Sequence, residues 1–193
     1  MLTLYFAPGA SSMAPHIALN EIGVPFEARS LSFAKGETRA AEFLALNPEG
    51  KVPTLLVDGR PLTEVAAILF YLARRYPEAQ LLPAGDVEAE AQVIAWMSFI
   101  ASAIHPVLRL RNERTTQAFA FADRKLGMRD WAVGGYSIAD IHLFRLYWRF
   151  NRSVKPAPET FPALAAHHDR MMQRPAVQKT IAIEAAIGYE LPW

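Results

Sequence analysis

The chain has 193 residues, 52% of them hydrophobic and 20% charged, with a formal net charge of +1. That length suits one large or two small domains with a buried core, and the charge balance gives no reason to expect nucleic acid or an acidic membrane as partner. Cysteine is absent, which excludes disulfides, thiolate metal sites and a cysteine nucleophile.

The first 76 residues alternate strand-like and helix-like patterns. Leu2 to Phe6 is apolar and β-favouring, and it runs through Pro8-Gly9 into Ser11 and Ser12 at the start of a helical stripe, Met13 to Ile22. Phe26 to Leu31 alternates as a strand, and Thr38 to Leu46 reads as a short amphipathic helix. Pro53 to Val57 and Arg60 to Leu62 flank the turn dipeptide Asp58-Gly59, which predicts a hairpin. Glu64 to Tyr76 is an apolar helix stopped by Pro77. The order βαβαββα implies a mixed sheet with helices packed on it.

Pro77 to Asp86 is the expected linker. Beyond it only helices are predicted: Val87 to about Arg111, Thr116 to Met128, Ser137 to Phe150, Pro162 to Arg174 and Pro175 to Glu184. Ser137 and Asp140 have the spacing of a capping box. The expectation is an α/β domain over 1–76, a linker over 77–86 and an all-helical domain over 87–193.

Four places in the chain carry candidate chemistry. A helix start offers free N–H groups and a favourable dipole to an anion, and Ser11 or Ser12 adds a hydroxyl donor; plain N-capping explains the same serines. Holding a bound thiol as its thiolate at neutral pH means lowering a pKa of about 8.5 by about two units, or about 2.7 kcal/mol. Pro53 opens a strand where either a cis or a rigid trans bond fits, and a cis bond would turn the Val52 backbone toward an added peptide strand. The Glu64 side chain and the Val65 N–H suit an ammonium and a carboxylate, although an acidic helix start needs no ligand. Pro106 should kink the fourth helix beside His105, and one of Arg109, Arg111 and Arg114 could reach an anionic ligand. No metal site is expected, since adjacent His167 and His168 point about 100° apart on a helix. No apolar run approaches a membrane span, and Pro8, Gly9 and Pro15 interrupt any signal-peptide reading, so the expected address is the cytoplasm.

Taken in order, Tyr5 to His16, Asn47 to Leu55, Leu62 to Ala73 and Ser137 to Asp140 make the chain resemble the cytosolic glutathione transferases, the bacterial beta class most of all. The resemblance implies a thioredoxin-like domain that binds glutathione as co-substrate, a helical domain that supplies a hydrophobic substrate pocket, and a homodimer. It implies the γ-glutamyl group of glutathione at Glu64 and Val65, its cysteinyl backbone at Val52 beside cis-Pro53, and its glycyl carboxylate near Lys35 or Lys51. It also implies the sulfur near Ser11, with Ser98 and His105 contributed by the helical domain. The expected activity is conjugation of hydrophobic electrophiles or reduction of organic hydroperoxides.

Three departures qualify the resemblance. Ser11 stands where the beta class carries cysteine, so no mixed disulfide can form and a hydrogen-bonding role replaces it. Tyr5 occupies the place of the catalytic tyrosine in other classes and is a second candidate. Val65 stands where many relatives carry serine or threonine, and the His105–Ser137 stretch is shorter than usual in the beta class. A non-catalytic carrier or an interaction module of the same fold is the alternative.

Overall fold

Strand β1, Leu2–Phe6, is buried along its whole length because it has a strand on each side. It pairs in parallel with β2, Glu27–Ser30, and antiparallel with β3, Thr54–Val57, which continues antiparallel into β4, Arg60–Thr63. The sheet order is therefore β2-β1-β3-β4. The hairpin turn is the expected dipeptide, with φ of 50° at Asp58 and 81° at Gly59, the left-handed pair that matches the twist of the flanking strands.

This computed structural model describes residues 1–190. Helix α1, Met13–Ile22, carries Pro15 in its first turn, where no N–H is needed, and ends on Gly23 in the left-handed region. The single helix expected from Thr38 is divided into a 3-10 turn, Glu37–Arg39, and α2, Ala41–Leu46, by extended Ala40. The turn is held instead to the following loop, where Arg39 Nη1 donates to the Glu49 carbonyl at 3.2 Å. Gly50, at φ 61°, lies so close that a Cβ there would fall 2.7 Å from the Thr38 carbonyl oxygen. Only glycine fits that approach. Helix α3 spans Val65–Arg75.

The described residues divide into two compact units, Met1–Leu72 with the chain from Pro175 onward, and Ala73–Arg174. The domain limits expected from the sequence, 1–76 and 87–193, differ from these units at the last helix; residues 191–193 lie outside the described residues. Helix α8, Pro175–Ile187, packs on α1 because its buried Glu184 is drawn to His16 and Gly9.

In the second unit, α4, Val87–Phe99, starts on Asp86, whose side chain accepts from the Ala89 N–H at 3.0 Å. The helix expected to reach Arg111 gives way to a π-helical turn, Ile100–Ile104, closed by the His105 N–H donating to the Ile100 carbonyl at 2.9 Å. Residues 105–110 then run as turns. Pro106 is the cause, since it has no N–H to donate and its ring crowds the carbonyl one turn back. Val87–Ile104 is long and apolar enough to pass as a membrane span by length and composition, which the sequence reading did not anticipate. Its Val93, Trp96, Met97, Ile100 and Ile104 are buried in the helical unit and form its packed face, while Ile94, Ala95, Ser98 and Ala101 on other sides are exposed.

Helix α5, Glu113–Leu126, follows, and then α6, Ile138–Val154, buried from Ile138 to Phe150. Its capping box forms as expected, with the Ser137 hydroxyl accepting from the Ala139 N–H and the Asp140 carboxylate accepting from the Ser137 N–H. Helix α7, Pro162–Met172, brings His167 Nε2 to 3.0 Å from Asp140 Oδ1.

Candidate active site

Strand register assembles the candidate residues of the first unit at one end of the sheet. Phe6, at the end of β1, is level with Ser30 at the end of β2, and Tyr5 is level with Thr54 at the start of β3. Thr54 is in turn opposite Thr63 at the end of β4. The chain leaving β1 carries Ser11, the chain leaving β2 carries Lys35, Val52 and Pro53 lead into β3, and Glu64 and Val65 follow β4. Four segments distant in sequence therefore meet where strand ends are exposed, a usual place for ligands on open sheets.

Ser11 is half-buried, and its Oγ donates to the Val52 carbonyl at 3.0 Å. The Val52–Pro53 bond is cis, and both residues are buried. The loop that carries them is fixed by Asn47, whose side-chain amide donates to the Lys51 carbonyl at 2.8 Å and to Thr54 Oγ1 at 3.1 Å. Glu64 is exposed and holds φ at 69°, a left-handed backbone that costs a non-glycine residue about 1–3 kcal/mol. Val65 opens α3 and is buried, so its side chain packs while the helix start presents free N–H groups.

The other candidate activators are differently engaged. Ser12 is fully buried, and its hydroxyl accepts from the Ala7 N–H at 3.1 Å and donates to the Ala7 carbonyl at 3.2 Å. It closes the loop instead of facing a ligand. Tyr5 packs against Phe43, and its hydroxyl accepts from Arg29 Nη1 at 3.0 Å. Of the three hydroxyls, that of Ser11 alone is bonded to the Val52 backbone.

Lys35 and Lys51 are exposed. Lys51 Nζ pairs with Glu49 at 2.7 Å, which raises its pKa, and Glu64 adds a smaller push in the same direction. The Lys35 loop is held by Glu190, whose carboxylate accepts from Ser32 Oγ at 2.6 Å and from the Ala34 N–H at 3.0 Å. Ser98 and His105 belong to the second unit, Ser98 exposed on α4 and His105 half-buried after the π turn. Burial, with the charges of Arg145, Arg109 and Arg149, pushes the His105 pKa down to about 4. Its imidazole is neutral at neutral pH.

Sequence reasoning missed the support beneath Ser11. The Gly9 N–H donates to Glu184 Oε2 at 2.7 Å, and His16 Nδ1 pairs with Glu184 Oε1 at 2.9 Å, with both side chains buried. Gly9 and Glu184 are 175 positions apart, and no local pattern connects them. No group of His, Asp and Glu among the described residues could hold a metal ion.

A thioredoxin-like sheet unit with a helical unit, and a serine on an X-Pro backbone edge, define a class of protein. Residues 1–74 match the model of the glutathione S-transferase N-terminal domain, and residues 106–175 match that of the C-terminal domain. The chain belongs to the glutathione S-transferase family, and the fold and enzyme class expected from its sequence are those of that family. It is 33% identical to glutathione S-transferase GstA of Escherichia coli O157:H7 over 95% of this chain and 98% of that one. Among solved structures, a sphingomonad glutathione S-transferase complexed with glutathione superposes with a TM-score of 0.85 at 34% identity, covering 95% of this chain and 98% of that one. The beta class glutathione S-transferase of Sphingomonas chungbukensis gives 0.81 at 33% identity, over 94% and 98%.

Proposed function

We propose that this glutathione transferase binds glutathione as an extended peptide along Val52, with the γ-glutamyl group at Glu64 and Val65 and the sulfur beside Ser11. Lys35 or Lys51 faces the glycyl carboxylate, cis-Pro53 presents the Val52 backbone, and the helical unit contributes Ser98 and His105. The observation that carries this reading is the bond from Ser11 Oγ to the Val52 carbonyl. A bound peptide pairing with Val52 donates its own N–H to that carbonyl. The serine proton is then released to the nearby sulfur, so peptide binding itself switches on the donor. A charge-assisted hydrogen bond of this kind contributes about 1.5–3 kcal/mol toward the thiolate.

The thiol proton passes to water, and the thiolate attacks an electrophilic carbon. A C–S bond forms as the carbon–halide bond breaks and the halide leaves with the electron pair. With an organic hydroperoxide, two glutathiones are oxidised to the disulfide as the peroxide is reduced to alcohol and water. Ser11 donates a hydrogen bond throughout and forms no covalent bond. His105, neutral near pH 7, acts by hydrogen bonding and shape.

The working form is a homodimer in the cytoplasm. Exposed Ile94 and Phe121, with the Phe99 ring tilted against Phe121 at a centroid distance of 5.2 Å, supply apolar surface of the kind a subunit interface buries. Steady-state conjugation of a chlorodinitroaryl substrate tests the reading. Ser11→Ala is expected to lower kcat/KM by about tenfold or more and to raise the pKa of the bound thiol. Equal rates and equal thiol acidity in the two proteins would remove Ser11 from the mechanism.

A further inference from the structure

Beyond helix α8 the chain turns back onto the loop that follows β2. Gly188, at φ 102°, donates its N–H to the Glu184 carbonyl at 3.1 Å, and the Tyr189 hydroxyl donates to the Ile181 carbonyl at 3.3 Å. That turn delivers the Glu190 carboxylate to the loop, where it accepts from Ser32 Oγ at 2.6 Å and from the Ala34 N–H at 3.0 Å. Loop and carboxylate belong to the same compact unit. The Ser32 hydroxyl, the Ala34 N–H and, more weakly, the Phe33 N–H and the Lys35 charge hold the Glu190 carboxyl below its ordinary range.

The backbone donors of this loop are committed. The Ser32 N–H donates to Glu37 Oε2 at 2.7 Å, the Lys35 N–H to Ser32 Oγ at 3.0 Å and the Gly36 N–H to the Phe33 carbonyl at 3.1 Å, while the Ala34 N–H goes to Glu190. The loop also adjoins the candidate site. Leu31 and Phe33, on either side of Ser32, pack against the apolar cluster that contains Val52 and Ala10, the residue next to Ser11. Each lysine assigned to the carboxyl end of the bound peptide has an acidic neighbour: Lys51 has Glu49 at 2.7 Å, and Lys35 has Glu190, whose acidity it increases.

We propose that Glu190 competes with the carboxyl end of the bound thiol peptide, and so shifts selectivity toward peptides that are uncharged at that end, such as an ester or an amide. The inference rests on the glutathione reading for the position of the peptide, while the seat of Glu190 on the loop stands by itself. A free carboxylate gains the Ser32 and Ala34 donors only in molecules where Glu190 has left them. Its apparent affinity falls in proportion to the fraction of molecules that are open, and a neutral end, which needs no anion site, is spared that loss. Glu190 is exposed and water competes for it, so the selectivity is modest.

Glutathione and its glycine monoethyl ester differ at that end alone and provide the test, with KM for each thiol measured against the chlorodinitroaryl substrate in the full chain. Glu190→Ala should lower the KM of glutathione by about three- to fivefold and leave that of the ester unaltered. Glu190→Gln, which keeps one acceptor and loses the charge, should fall between wild type and Glu190→Ala. A tail that only braces the loop affects both thiols alike, so conjugation with the two KM values kept in the same ratio by Glu190→Ala preserves the transferase and overturns the inference. A rise in the KM of glutathione alone overturns it as well. If neither thiol is conjugated, the transferase reading fails, and titration calorimetry of both thiols against wild type and Glu190→Ala decides the inference separately. Tighter binding of glutathione alone in the variant supports it there, and equal shifts or none overturn it.

Discussion

Each unit buries one imidazole against one carboxylate, and the two pairs do different work. In the sheet unit, Glu184 holds His16 and the Gly9 N–H, two residues from Ser11. In the helical unit, Asp140 holds His167 and also accepts from the Ala132 N–H at 2.8 Å, the Ser137 N–H at 2.9 Å and Ser137 Oγ at 3.1 Å. The second carboxylate is saturated with partners that begin α6, a helix at the centre of its unit. The first spans the length of the chain to fix the loop that carries Ser11. Identical pair chemistry therefore serves folding in one unit and positioning in the other, and the partners around each carboxylate decide which.

Breaking the Asp140 pair should produce the largest effect. Asp140→Ala strands a buried imidazole and three donors, and urea unfolding should show a loss of about 3–5 kcal/mol, or no soluble protein at all. The activity that remains per folded molecule should match the wild type. Glu184→Gln comes next, because one oxygen can still accept from Gly9. A stability cost of about 1–3 kcal/mol is expected, accompanied by a fall in kcat or a rise in the KM of glutathione in the molecules that stay folded. If Glu184→Gln lost stability alone and Asp140→Ala lost catalysis alone, the contrast between the units would be reversed.

The last effect is a matter of pH. His105 and His142 have folded pKa values of about 4 and about 3, below the ordinary value of 6.5. An unfolded chain takes up protons below pH 6.5 that the folded chain refuses. The stability these residues provide is complete above that pH and drains away as pH falls toward 4. Both lie in the helical unit, so hydrogen exchange at pH 5 should rise earlier there than in the sheet unit. Uniform exchange in both units would contradict this.

Much of this arrangement was legible in the sequence because its causes are local. Period-2 and period-3.6 patterns, Asp58-Gly59 and the Ser137–Asp140 spacing specify the strands, the hairpin and the α6 cap through contacts a few residues apart. Where tertiary contacts compete, local reading fails. The Thr38 helix divides because Gly50 and Glu49 claim the turn before it; the fourth helix ends early for a local reason, since Pro106, expected to kink it, stops its ladder instead. The positions of the candidate residues were readable too, as Ser11, Val52, Pro53, Glu64 and Val65 all sit at strand-to-helix or loop-to-strand junctions.

By itself the sequence determined the family, the βαβαββα order and the absence of any cysteine chemistry, since each follows from residue identity and short spacing. Only the tertiary structure decided that Ser11 is bonded to Val52, that Ser12 and Tyr5 are committed elsewhere, and that α8 belongs with the sheet through Glu184. Those facts depend on which distant groups share a small volume, and hydrogen bonds and charges are selected there by distance in space, to which separation along the chain is no guide.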